Sequence, residues 1–206
     1  MTTPDPPPSP PTPPSPPVPE DIRAAARLAP DHWLGVVDPA WDAQTAPPRW
    51  AVVGEWRSGA SGEVEEWRAN PEYRPSPLAL GWPVPTDAVD AAVQALVTGY
   101  DTVDAVLRAL SEAELLVLRA PQGEPLTALG QDGGLLAPAY TAPQHLHAAG
   151  FLAHDLVTAR ELARVLAPSD TYLLLNPAGP ASLSLKPGEL LASEEQPAED
   201  PPVPPV

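Results

Sequence analysis

The chain has 206 residues, 43% of them hydrophobic, with 33 prolines, no cysteine and a formal net charge of −16. That length holds one domain or two small ones. The missing cysteine excludes disulfides, thiolate catalysis and cysteine–zinc sites. The charge opposes nucleic acid and anionic membrane surfaces, and no cluster of basic residues offsets it, Lys186 being the single lysine.

Eleven of the prolines fall within the first 20 residues. Such a segment has too little to bury to offset its ordering entropy, so residues 1–19 are expected to be a disordered, proline-rich arm sampling polyproline II. The start shows no basic region followed by an apolar run, so no signal peptide is expected. No apolar run approaches the ~20 residues that span a bilayer. A cytoplasmic protein without membrane insertion is the resulting expectation.

Residues 20–29 read as a short helix, with Glu20 and Asp21 at its positive end, Pro30 beyond it, and Ile22, Ala26 and Leu28 as its docking side. A strand is expected over 32–37, then a loop to Pro48. Residues 49–57 alternate, with Trp50, Val52, Gly54 and Trp56 on one face and Ala51, Val53, Glu55 and Arg57 on the other. The turn Ser58-Gly59-Ala60-Ser61-Gly62 makes 63–68 the returning strand of a hairpin. Glu55 and Arg57 then offer cross-strand charge pairs to Glu63, Glu65 and Arg68 at a solvent face. The prolines of 70–85 forbid regular structure, while Tyr73, Leu78, Leu80 and Trp82 suggest a loop packed on the core.

Helix signals follow. Thr86 reads as an N-cap and Gly99 as a stop, with Val89, Val93, Leu96 and Val97 forming an apolar stripe. Asp101 reads as the cap of a second helix, striped by Val103, Val106, Leu107 and Leu110. Strands are expected over 115–119, 135–140, within 151–157, over 171–175 and over 181–185. Thr141-x-x-Gln144 and Thr158-x-x-Glu161 are capping-box patterns, the second opening a helix that buries Leu162, Val165 and Leu166. Residues 187–206 carry Glu189, Glu194, Glu195, Glu199 and Asp200 and read as a disordered, acidic, proline-rich tail. The fold class is therefore α/β (α+β), with small mixed sheets and packed helices. Its parts are the arm 1–19, a tryptophan-rich α+β module over 20–100, an α/β domain over 101–186 and the tail 187–206. Deleting 1–19 and 188–206 is expected to leave the melting temperature unchanged.

Two stretches carry a family resemblance. The run Asp132-Gly133-Gly134-Leu135-Leu136-Ala137-Pro138-Ala139-Tyr140-Thr141-Ala142-Pro143-Gln144-His145-Leu146, with Leu173-Leu174-Leu175-Asn176-Pro177-Ala178-Gly179, resembles the SseB-type N-terminal domain over residues 101–186. Residues 31–100 resemble the front part of actinobacterial type VII secretion system-associated proteins, through Trp50-Ala51-Val52-Val53-Gly54-Glu55-Trp56-Arg57, Asn70-Pro71-Glu72-Tyr73-Arg74-Pro75-Ser76-Pro77 and Gly81-Trp82-Pro83. The resemblance implies association with a secretion apparatus and supplies no catalytic motif.

The residues themselves show no recognisable catalytic, cofactor or metal site. His145 and His147 are two apart on an expected helix and point about 200° apart, so they do not share a metal as an i, i+4 pair would. Ser58 and Ser61 lie among glycines that a turn explains without a nucleophile elbow. Glu63, Glu65 and Glu66, and Asp87 and Asp90, read as a solvated face and as helix-dipole partners. All six tryptophans lie in residues 33–82. They read either as the core of a small sheet or as a face for a protein partner. On the second reading the candidate surface is Trp56, Trp67, Tyr73, Arg74 and Trp82. Pro7-x-x-Pro10 and the repeats after it read as a spacer or as a ligand for an aromatic groove. The expected function is that of a non-enzymatic accessory protein with a protein partner and no cofactor. A small-ligand-binding regulatory domain is the alternative, and an unrecognised hydrolase the remaining one.

Overall fold

The computed structural model describes residues 15–42, 45–150 and 152–193. The residues before 15 and after 193, where most of the proline-rich arm and acidic tail were expected, lie outside the described residues. The chain divides into two compact units, Met1–Arg74 and Pro75–Val206. The expected boundary at 100/101 is thereby moved forward, and the loop after Arg74 and the first helix behind it belong with the second unit. Mixed α+β architecture with two small sheets is found, as the alternating patterns require.

In the first unit, helix α1 (Glu20–Leu28) lies against an antiparallel sheet of order β1-β2-β3, formed by Trp33–Val37, Val52–Ser58 and Val64–Ala69. Ile22 and Ala26 are the buried side of α1, whereas Leu28, expected to dock, is 88% exposed. Strand β2 starts three residues later than its alternation suggested. Pro48 caps a 3-10 turn at Arg49–Ala51, closed by the Ala51 N–H on Pro48 O at 2.9 Å. Buried Ser58 ties sheet to helix: its hydroxyl donates to Ala29 O at 2.6 Å and accepts from the His32 N–H at 2.9 Å. The hairpin register sets Glu55 opposite Arg68 and Arg57 opposite Glu66. The expected charge pairing is met by Arg68 opposite Glu55, while Arg57 faces Glu66 and not Glu63 or Glu65; the register shifts beyond it, between Arg57 and Ser58.

The second unit begins with a loop that buries Ser76 and packs Trp82 on the core but leaves Leu78, Leu80 and Val84 exposed, unlike the packed segment expected. Helices α2 (Ala88–Thr98) and α3 (Val103–Ser111) follow, then β4 (Glu114–Leu118), a two-strand extension β5 (Ala128–Leu129) with β6 (Leu135–Tyr140), and α4 (Pro143–Ala149). β7 (His154–Thr158), α5 (Ala159–Leu166), β8 (Tyr172–Leu175), β9 (Leu183–Leu185) and α6 (Pro187–Ala192) complete it. The sheet order is β7-β4-β6-β8-β9 with β5 on β6; β6 and β8 run parallel and the other pairs antiparallel. One face of the sheet presents Leu115, Val117, Ala137, Ala139, Leu173 and Leu175 to α2, α3, α5 and α6. The small Ala137 and Ala139, with Ala159 and Ala163 on α5, are fully buried and let helix and sheet approach closely. The opposite face packs Leu118 and Tyr140 under Leu146 of α4.

Local signals were borne out where the side chain had no competing partner. The Thr158 capping box is complete, with Glu161 N–H on Thr158 Oγ1 at 3.2 Å and Thr158 N–H on Glu161 Oε2 at 3.1 Å. The box expected at Thr141 is absent: Ala142 is the N-cap, and Thr141 is bonded to Asn176 instead. Asp87, not Thr86, caps α2, and Thr102, not Asp101, occupies the cap of α3. Val165 of α5 is 58% exposed, and Ala163 fills the buried position in its place. The expected tail does not begin at Pro187, because α6 starts there and places Leu190, 2% exposed, in the main core.

Candidate functional site

The tryptophan-rich sheet is the site the sequence singles out. Leu34, Trp56 and Trp67 pair across the three strands and so share one face. Trp56 is 4% exposed, with its indole N–H buried and without an acceptor. It is a core residue and cannot be presented to a partner, which corrects its place in the candidate surface. Trp67 is half-buried, 4.9 Å from Trp56 between ring centroids. Its ring lies over Gly54, where an added Cβ would stand 2.4 Å from Trp67 Cζ2, so only glycine fits beneath it. Trp41 and Trp50 form an edge-to-face pair at 5.5 Å. Tryptophan as core of the small sheet therefore holds for part of the cluster.

Tyr73 and Arg74 lie in the loop that closes this unit. The Tyr73 hydroxyl donates to Asp38 Oδ2 at 2.7 Å, and the Arg74 N–H donates to Trp50 O at 2.9 Å. Asn70 braces the loop by donating from Nδ2 to Arg49 O and Val52 O and accepting the Glu72 N–H on Oδ1. Trp82 belongs to the second unit, where it packs half-buried against the main core. The five predicted residues are thus not one surface of one unit.

The face that is presented is the solvent face expected for Glu55, Arg57 and Arg68, but Trp33 was not assigned to it. Residues alternating with Leu34, Trp56 and Trp67 form the outer side of the sheet: Trp33, Glu55, Arg57, Glu66 and Arg68. Trp33 is 36% exposed, and the Arg68 guanidinium lies 3.9 Å from its ring centroid. The two arginines and two glutamates cancel, so this patch is neutral in a strongly acidic chain. The signal that could have found it is the alternation of β1, where Trp33 and Leu34 must point to opposite sides. A cleft of ≈ 240 Å³ in the same unit is lined by Arg49, Gly54, Glu55, Arg68 and Asn70 among others, with no tryptophan. A tryptophan-lined ligand pocket is not what this cleft offers.

A second constellation lies at the carboxyl ends of the parallel strands β6 and β8. Asp90 is 1% exposed and accepts from the Thr86 N–H at 2.9 Å and from Gln94 Nε2 at 3.3 Å. His145 Nε2 stands 3.2 Å from Asp90 Oδ2 and 3.1 Å from Thr86 Oγ1, and the Thr86 hydroxyl donates to Asp87 Oδ2 at 2.7 Å. Asn176, fully buried with φ 44°, accepts the Thr141 N–H on Oδ1 at 3.0 Å and donates from Nδ2 to Thr141 Oγ1 at 3.0 Å. Asp87 and Asp90 stand at the start of α2, where helix-dipole partners were expected; the structure also buries Asp90, because α4 brings His145 onto it from 55 positions away.

The chemistry of this cluster follows from which atoms it occupies. A carboxylate only accepts, so Nε2 carries the hydrogen directed at Asp90. Thr86, against the same nitrogen, accordingly meets an N–H and not a lone pair. That is the reverse of a nucleophile beside its base, where acid and hydroxyl engage different ring nitrogens. Burial of Asp87 raises its pKa, but hydrogen bonds from the Asp90 N–H, Thr141, Thr86 and the Val89 N–H outweigh it and hold the carboxyl below its ordinary value. The cluster is a cross-brace between α2, α4 and the strand ends. Among the described residues no group of three or more His, Asp or Glu is placed to hold a metal ion, and no helix is long and apolar enough to cross a membrane.

A mixed sheet with helices stacked on one face, a lone helix on the other and a polar brace at the parallel strand ends defines the second unit as an α/β domain. The SseB protein N-terminal domain family matches residues 89–192, and the chain belongs to that family. The match runs from α2 through α6, further in both directions than the 101–186 resemblance. No curated protein and no solved structure matches the chain.

Proposed function

We propose that this chain is a non-enzymatic, cytoplasmic accessory protein that works by binding another protein, a component or substrate of a type VII-like secretion system. The observation that carries the reading is the outer face of the three-stranded sheet, where Trp33 lies exposed beneath Arg68 in a patch of cancelled charge. Tryptophan and arginine are the residues that most often anchor protein interfaces. A sheet holds them at low entropic cost, since the backbone is already fixed. Membership of the SseB family and the type VII resemblance of residues 31–100 direct the proposal to secretion. The occupied imidazole nitrogen of His145 supports a structural role for the most enzyme-like cluster.

The test is a pull-down from the native organism with the full chain as bait. Enrichment of a secretion-system component or substrate is the expected result. Recovery of nothing from that apparatus removes the proposal's support.

A further inference from the structure

The six-stranded sheet ends on β7, and no strand pairs with its outer side among the described residues. In the antiparallel ladder with β4, the Arg119 N–H donates to Ala153 O and the Ala159 N–H to Ala113 O. Alternation then turns the backbone groups of Asp155 and Val157 towards β4 and those of His154, Leu156 and Thr158 outwards. The Thr158 N–H is taken by Glu161. The N–H and C=O groups of His154 and Leu156 remain as the unpaired edge. Such an edge is a template for one further strand.

Beside this edge lies a cleft of ≈ 190 Å³ whose walls include Val117, Pro125, Val157, Leu162 and Val165. Val157 points into it from β7, so a strand added to β7 would send alternate side chains over the same opening. On the other face of β7, Leu156 is 59% exposed and would meet the intervening side chains. The rim carries Glu124, Asp155 and Glu161 against Arg119, which pairs with Asp155, and Arg164, whose charge acts on Glu161. Carboxylates outnumber guanidiniums three to two, so the opening is weakly acidic as well as apolar.

We infer that the β7 edge is a docking site for an extended peptide strand of a basic partner, one apolar side chain filling the cleft and lysines or arginines two positions to either side, on the same face of the strand, meeting its acidic rim. Main-chain bonds supply affinity and the cleft supplies selectivity, as in other strand additions. A second copy of this chain is disfavoured as occupant, because two acidic rims and two chains of −16 would be brought together. The site lies in the second unit and does not rest on the tryptophan face.

The experiment uses the full chain and a fluorescent, end-capped heptapeptide threonine-lysine-valine-valine-valine-lysine-threonine, whose central valine and two lysines share one face, with glutamate in place of both lysines as control. Binding of the lysine peptide alone is expected, weakening as salt rises, with slowed hydrogen exchange at the His154 and Leu156 amides. Leu156→Pro removes one outward N–H without touching a ladder bond and should weaken binding about five- to tenfold. Val165→Lys, at an exposed position that leaves the fold intact, should weaken it about tenfold or more, while Trp33→Ala should not change it. Equal binding of both peptides, protection away from β7, or unchanged binding in Val165→Lys would overturn the inference. So would absence of binding to the lysine peptide, or protection of the β7 amides by self-association without peptide.

Discussion

Gly54 shows how a single residue fixes the front unit. Its missing side chain is the floor on which the Trp67 ring rests, next to Trp56. Gly54→Val places atoms inside the ring's volume, so Trp67 must leave its place or the strands must part. The expected loss is about 1–3 kcal/mol, read as a lower midpoint in chemical denaturation, with near-ultraviolet dichroism changing as the indole pair separates. An unchanged midpoint would mean that Trp67 does not rest there. Asp87 offers a second test at this scale. Its folded-state pKa is depressed, so its contribution is fully present above the unfolded value and is lost as pH falls through the folded one. Asp87→Asn keeps a competent N-cap but removes that titration. The variant's stability should therefore fall less steeply than wild type's on acidification below about pH 5. Identical acid profiles would refute the assignment.

Elements were legible where a local pattern had nothing to compete with it. The stripe of Val103, Val106, Leu107 and Leu110, of which only Val103 stays exposed, and the Thr158 box mark α3 and α5 without knowledge of the rest of the chain. The Thr141 box failed because Asn176, 35 residues later, claims the same side chain, and no local window contains both. The Asp90–His145 pair was hidden for the same reason. Helix α6 was missed because Pro187, Glu189 and the prolines beyond make the segment look like solvated tail. Pro187 in fact sits in the helix's first turn, where its missing N–H costs nothing. The helix is held by Leu190 in the main core. Leu190→Ala should cost about 2–5 kcal/mol, and truncation before Pro187 should lower the melting temperature by several degrees. This replaces the expectation that removing 188–206 is neutral. A truncated chain melting with wild type would show that α6 contributes nothing.

At the scale of the molecule, two units divide the work. The SseB-family unit has a large core, a polar brace at its parallel strand ends and one open sheet edge. The front unit has a small sheet that turns some tryptophans inwards and one outwards. The tryptophan count pointed to this unit and the alternation of β2 to Glu55 and Arg57 on its outer side, but which tryptophans face out depends on the pairing of β1 with β2, which no local pattern fixes. Burial of Trp56 and exposure of Trp33 decide it. The central claim is that the outer face bearing Trp33 and Arg68 binds a protein of a secretion apparatus. It is tested most directly by a quantitative pull-down from the native organism with wild-type chain and with Trp33→Ala/Arg68→Ala, both checked for equal melting temperature. The account predicts a secretion component enriched by wild type and depleted about tenfold or more by the double variant. Equal recovery by both chains, or none by either, would contradict it.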